Sequence, residues 1–388
     1  MEDGYGLVLS GGGTKGAYEV GAWKALKKMN IPISAIVGTS IGAINGALML
    51  QDDQRKIERI YSKIQMSDIF ETNEAIDPSK SLFSLDNIRG LIKEYVLQRG
   101  LDTAPLEKMI RTNIDLDKIY QSDIDFGIVT YSIKELTAIE RFKNEIPKEE
   151  MVKFLLASAS FPIFKPQKLE GKRFIDGGVY DNMPINMLLK KGYKKIIVID
   201  IAGMGIRRKL EKNQDVYVKM IRCSEDLGGT FDFDQERIQR NLKMGYLDTL
   251  RAFQKLQGHY YFFSPRSFRQ LLENFNLDVI YGLETAAKIY SLDRYKIYTA
   301  DEFLKTLMES HANAQKRYKS LRNKAMLGKL VQNPRKIPEM LDNGLIVVWF
   351  EEMIETWPGQ EFSRIAKMFD EYTLAGTAMI ELQNYLLE

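Results

Sequence analysis

The sequence predicts an α/β fold, three layers deep (α/β/α) around a mainly parallel sheet and followed by a mostly helical C-terminal region. Three observations lead there. Short apolar runs of strand length alternate with helix-periodic stretches over the first half of the chain, as a parallel sheet covered by helices requires. Two strand-to-helix junctions are glycine-rich, Gly11-Gly12-Gly13 and Gly38-Thr39-Ser40-Ile41-Gly42. Past Arg207-Arg208-Lys209, Met, Tyr, Phe and Leu recur at three- and four-residue spacing, the stripe of helices that pack on one another. The division is placed after Gly205, between a first domain over residues 1–205 and a helical region over 206–388.

In chain order, Tyr5 to Ser10 reads as a buried strand, Ala17 to Met29 as a helix, Ser34 to Val37 as a second strand and Ala43 to Leu50 as a second helix. Lys56 to Ile69 and Leu85 to Gln98 read as helices, joined by a surface connection that could rim a site. Phe126 to Tyr131 and Leu136 to Arg141 read as paired strands, and Lys194 to Ile201 as another buried one. Asp234 to Gln257, Ala300 to Met326 and Leu345 to Leu387 read as mostly helical, and His259 to Phe263 as a short aromatic strand.

Composition narrows the function. Lys plus Arg number 55 against 52 Asp plus Glu, a formal charge of +3, so no electrostatic case exists for a nucleic-acid partner and only mild attraction to anionic surfaces remains. The single Cys223 rules out an intrachain disulfide and a cysteine-rich metal site, and reads as a small buried apolar residue. The acidic start Met1-Glu2-Asp3-Gly4 lacks the features of a signal peptide. No apolar run approaches the length of about 18 residues that spans a bilayer. The expectation is a soluble, cytoplasmic protein.

The two glycine-rich junctions carry the chemistry. A serine at the apex of a sharp strand-to-helix turn has its hydroxyl lifted clear of the sheet, and small neighbours such as Gly38 and Gly42 are needed because the turn is tight. Ser40 is the candidate nucleophile. The run Gly11-Gly12-Gly13-Thr14-Lys15-Gly16 can point several backbone amides at one place beside a helix N-terminus, an anion cradle for a phosphate or a developing oxyanion. A nucleotide P-loop needs a hydroxyl after its lysine, whereas Gly16 follows Lys15. The dinucleotide fingerprint wants an acid about 20 residues on, and Ile31 to Val37 carries none. The oxyanion reading fits better.

An activated serine needs a base within hydrogen-bond reach. The two histidines, His259 and His311, both lie outside this half, have no carboxylate at motif spacing, and read as structural or surface residues. Asp176, followed by Gly177 and Gly178, is a carboxylate that another loop can approach closely.

These stretches, together with Phe174-Ile175-Asp176-Gly177-Gly178 leading to Asn182-Met183-Pro184, and Ala157 to Phe164 before them, resemble the patatin-like phospholipase family over Tyr5 to about Gly203. The resemblance implies a patatin-like three-layer fold and a Ser40–Asp176 dyad. It implies oxyanion-hole amides from Gly11, Gly12 and Gly13, with Lys15 and Gly16 supporting the loop. It further implies a phospholipid or other lipid ester as substrate, with neither metal nor cofactor. Phe154, Leu155, Leu156, Phe161 and Phe164 are candidates for an acyl channel, at least half of them core. Lys190-Lys191, Lys194-Lys195 and Arg207-Arg208-Lys209 could meet anionic head groups in peripheral membrane contact. Rival readings are a nucleotide- or phosphate-binding module and a catalytically silent scaffold. The physiological lipid, the oligomeric state and the role of residues 206–388 are not legible.

Overall fold

The computed structural model describes residues 4–71, 100–169, 172–210, 215–321, 337, 341–356 and 364–387. The helix expected over Leu85 to Gln98 lies outside them, as does nearly all of the connection before it. The chain divides into two compact units, Met1–Ala252 and Phe253–Glu388.

The first unit is built on an eight-stranded mixed sheet: β1 (Tyr5–Leu9), β2 (Ile33–Thr39), β3 (Asp125–Ser132), β4 (Thr137–Phe142), β5 (Gln167–Leu169), β6 (Lys172–Asp176), β7 (Lys195–Asp200) and β8 (Tyr217–Arg222). The order β5-β6-β3-β2-β1-β7-β8, with β4 also on β3, contains a parallel block, β3-β2-β1-β7-β8, and antiparallel additions at β4, β5 and β6. Strand alternation assigns each face its cover. Val8, Ala35, Val37 and Val129 pack with Met187 and Leu188 of the helix Ile185–Lys190. Ile36 and Phe126, of opposite parity, meet the helix α2 (Ile41–Met49) at Gly46. Helices thus cover both sides of the sheet.

The boundary expected after Gly205 falls instead after Ala252, for two reasons. The strand β8 extends the sheet beside β7 in parallel register. The helix Gln235–Ala252 then packs on the helix α1 (Ala17–Lys28) so closely that a Cβ on Gly21 would strike the Leu242 carbonyl and one on Gly245 the Tyr18 carbonyl. Tyr18 seals the crossing by donating to Asp248 at 2.9 Å. Surface spacing had made this helix look like part of the helical region.

Other elements are trimmed. The helix expected over Lys56 to Ile69 is Gln54–Tyr61 plus a 3-10 turn at Met66–Asp68. Cys223 is only partly buried. The second unit holds the helices Pro265–Asn274, Leu277–Ile289, Ala300–Leu321, Asn343–Thr356 and Asp370–Leu387. Its core gathers Phe263, Phe268, Leu283, Tyr298, Phe303 and Met379. Only Phe262–Phe263 of the aromatic run is strand, paired with Ile297–Tyr298.

Candidate active site

The register of β3 brings the site together. On one edge β3 carries β4 along Gly127 to Ser132, so its other edge must hold both remaining neighbours. There β2 pairs up to Thr39↔Val129, and β6, arriving from the opposite direction, ends at Asp176↔Thr130. The two strands meet head to head on adjacent residues of a third. Ser40 follows the end of one, and Asp176 is the end of the other.

Ser40 sits at φ 57°, ψ −126°, a region that is strained for any residue but glycine. The turn is held on all sides. The Ser40 amide donates to Ser158 Oγ at 2.9 Å, and Ser158 donates to the Val129 carbonyl at 2.6 Å. Thr39 Oγ1 donates to the Asp181 carbonyl at 2.8 Å. A Cβ on Gly38 would collide with the Gly42 backbone, and one on Gly42 with the Leu9 carbonyl, so both glycines are demanded by close approach. Behind the turn α2 begins, with the Ser40 carbonyl accepting from Ala43 at 3.0 Å.

Asp176 is buried, its carboxylate accepts the Gly178 amide at 2.7 Å, and the Ser40 side chain neighbours it in the same cleft. Burial pushes its pKa up to about 6, against the downward pull of Ser40 and the Gly178 amide. A carboxylate of that strength beside a serine hydroxyl is ionised at neutral pH and basic enough to accept a proton during attack. Both histidines belong to the second unit. There His311 is buried, its Nδ1 2.8 Å from Tyr290 Oη and its Nε2 3.2 Å from Glu351 Oε2, while the His259 amide is bound by Glu284.

The glycine loop divides its labour. Gly11 was expected to supply an oxyanion amide, but its N–H donates to the Asn182 carbonyl at 3.3 Å. Its missing side chain instead makes room, since a Cβ there would crowd Asn182 Oδ1 and lie 3.2 Å from Ser40 Cβ. The Thr14 amide is likewise taken, by the Thr230 carbonyl at 2.9 Å. Among the described residues, Gly12 and Gly13 make no backbone hydrogen bond through their amides. Gly13 stands at φ +63° with the Thr230 carbonyl where a Cβ would go. Lys15 donates to the Ala202 carbonyl at 3.3 Å, a brace for the loop. Gly16 is wedged against Tyr61 and Asn45, and Asn45 donates both to the Gly16 carbonyl at 3.1 Å and to the buried Glu19 at 2.8 Å.

A cleft enclosing about 720 Å³, open solvent included, runs from this loop between Ser40 and Asp176 into an apolar wall of Ile44, Ile64, Leu106, Phe161, Phe164 and Phe231. Of the five apolar candidates, Phe161 and Phe164 line it. Phe154, Leu155 and Leu156 are core of the helix Met151–Ser158. Phe231, which sequence reasoning left in a region without a role, packs its ring 5.5 Å from Phe161 and 5.7 Å from Phe164. Asn182 and Ser158 were within stretches that carried the resemblance, yet only their contacts reveal what they hold. No group of three or more His, Cys, Asp or Glu is gathered to hold a metal among the described residues, and none of their helices is long and apolar enough to cross a membrane.

Residues 7–189 match the family model described as patatin-like phospholipase. Among curated relatives, a lysophospholipase NTE1 of Scheffersomyces stipitis is 27% identical over 299 residues, 74% of this chain and 18% of that one. Patatin-like phospholipase domain-containing protein 7 of Rattus norvegicus is 26% identical over 201 residues, 51% of this chain and 13% of that one. The chain therefore spans less than a fifth of the length of these relatives. Among solved structures, VipD from Legionella pneumophila is similar at a TM-score of 0.42 and 13% identity, over 100% of this chain and 88% of that one, a likeness too loose to bear on function.

Proposed function

We propose that this chain, whose residues 7–189 form a patatin-like phospholipase domain, is a serine hydrolase of lipid esters, of the phospholipase A or lysophospholipase kind. The observation that carries the reading is that the strand register brings Ser40, on its strained turn, together with the buried Asp176 at one cleft, beside two glycine amides without a backbone partner among the described residues. In the first step Asp176 takes the proton of Ser40 Oγ as that oxygen attacks the ester carbonyl carbon. The carbonyl oxygen becomes an anion, stabilised by the Gly12 and Gly13 amides and the positive end of the helix that follows. Collapse breaks the bond to the alcohol, which leaves with the proton from Asp176. Water then attacks the acyl-enzyme while Asp176 accepts its proton, and Ser40 departs from the second tetrahedral adduct with that proton restored, freeing the fatty acid. No step calls for a metal or a redox partner.

The apolar wall supports an acyl chain as the part bound most deeply. The names of the relatives, lysophospholipase among them, point the same way. The test is covalent and chemical together. A fluorophosphonate should label wild type at Ser40 and leave Ser40→Ala unlabelled, and mass spectrometry should find fatty acid released from lysophospholipid or phospholipid by wild type alone. A folded wild type that neither labels nor hydrolyses would overturn the assignment.

A further inference from the structure

The end of the sheet that carries Ser40 also carries two exposed apolar segments. One is the turn from β3 to β4. There Leu136 is 74% exposed and sits at φ +54°, where a bulky side chain is strained and Asn, Asp or Gly is the usual occupant. Ile133, in the same turn, is exposed too. The other is the loop after β7, in which Met204, Ile206 and Leu210 are 59%, 55% and 47% exposed and flank the run of cations Arg207, Arg208 and Lys209.

Neither segment hangs loose. The Ile206 amide donates to the Gly178 carbonyl at 2.9 Å, and the Asn182 amide donates to the Ile206 carbonyl at 2.7 Å. The Ile133 amide donates to the Arg173 carbonyl at 2.9 Å. Both segments are thus pinned to the stretch from Arg173 to Asn182, the one that holds Asp176. Met204 also lines the cleft, so the loop forms part of its mouth.

Scattered exposed apolar residues are ordinary on a protein surface. Here they are gathered at one end of one sheet, on pinned backbone, with Met204 lining the cleft, Leu136 against its own backbone preference, and a basic run beside Ile206. Local rules broken in this way mark a functional surface. Apolar tips flanking a run of cations match the boundary of an anionic bilayer, where the tips enter the acyl region and the cations meet phosphates. The charge favours lipid over a protein partner. Arg207 pairs with Asp200, and the Arg208 guanidinium lies 4.6 Å from the Tyr180 ring, so both cations are held in place at the rim.

We propose that the turn Ile133–Leu136 and the loop Met204–Leu210 form the surface that seats this protein on an anionic lipid aggregate, with the cleft mouth toward the lipid. The proposal gives the acyl-hydrolase reading its route to substrate and rests on it for its purpose, but binding can be measured without turnover.

The experiment is flotation with vesicles of phosphatidylcholine, alone or mixed with phosphatidylglycerol, using wild type, Leu136→Asp and the double variant Ile206→Asp with Lys209→Glu. Aspartate suits the Leu136 backbone better than leucine does, so that variant keeps the test open should the loop variant misfold. Each variant should bind mixed vesicles at least about tenfold more weakly than wild type, with hydrolysis of a monomeric short-chain ester unchanged. Salt should weaken wild-type binding, and neutral vesicles should bind less. Ser40→Ala should float like wild type while hydrolysing nothing, so failure of the catalytic reading and failure of this one are separable. Unchanged vesicle affinity in both variants, equal affinity for neutral vesicles, or a wild-type self-association abolished by the double variant would each overturn it, the last in favour of a second copy of the chain.

Discussion

Each unit buries a carboxylate at a turn, and the two differ in what they face. In the second unit Glu284, fully buried, accepts the amides of His259, Tyr260 and Tyr261, with the first and last at 2.9 and 2.8 Å. In the first, Asp176 accepts one amide, that of Gly178, and has the hydroxyl-bearing Ser40 as its neighbour in the cleft. Burial raises the pKa of both. Backbone amides cannot give up their protons, so Glu284 can only close a turn, whereas a hydroxyl can, so Asp176 has chemistry open to it. Burial and a shifted pKa therefore do not identify a catalytic acid or base; the chemistry of its neighbour does.

The comparison can be broken most sharply at Asp176. Asp176→Asn keeps the shape but cannot accept the serine proton, and acylation by an activated ester should fall by on the order of 10²–10⁴-fold. The same variant should be more stable. The folded pKa of about 6 lies above the ordinary 3.8, so between these values the native state holds more protons than the unfolded one. This group's contribution to stability falls as pH rises through that window, and the deficit persists above it. Removing it should add on the order of 1–3 kcal/mol at pH 7 in urea unfolding. Near-normal acylation would mean that another group activates Ser40.

Next in size is the loop. In Gly13→Ala the new Cβ meets the Thr230 carbonyl and a left-handed backbone, so the amide must shift, and kcat should drop by about 10²–10³-fold. Unchanged turnover would remove Gly13 from the oxyanion hole. A smaller, graded effect is the pH profile: kcat/KM should decline below about pH 6, the pKa of Asp176, by about tenfold per pH unit. A profile flat to pH 5 would contradict an ionised Asp176 as the base.

The smallest effects on rate belong to the second unit. Glu284→Ala strands three amides and should cost about 1–3 kcal/mol of stability, with ester hydrolysis by the folded protein unchanged. His259→Ala and His311→Ala should likewise keep most of the wild-type rate. A hundredfold loss in any of the three would place the second unit in the chemistry and erase the contrast.

The sequence made the strand–turn–helix around Ser40 legible because Gly38 serves a local need, the close approach of its backbone to that of Gly42 across the turn. It made Asp176 legible because two glycines leave its carboxylate unobstructed. Three things were hidden, and each for a non-local reason. Which loop amides are taken depends on the Asn182 and Thr230 carbonyls, which lie far along the chain from Gly11 and Thr14. The place of Gln235–Ala252 in the first unit depends on two glycines, one on each helix, that each admit the other helix's backbone. The cleft wall recruits Phe231 from a loop whose composition looked like any surface connection. Periodicity reads what a segment needs from water; it does not read which distant segment supplies it.

The head-to-head meeting of β2 and β6 on β3 has a consequence for how this chain completes its folding after synthesis or denaturation. Helices form from local contacts, but Ser40 and Asp176 come together only once two segments distant in sequence have both docked on a third, and such long-range pairings close late. Helical signal on refolding should therefore return before esterase activity. Each active molecule reports a completed sheet, which makes turnover a clock for the last step of folding that spectroscopy of the helices would miss.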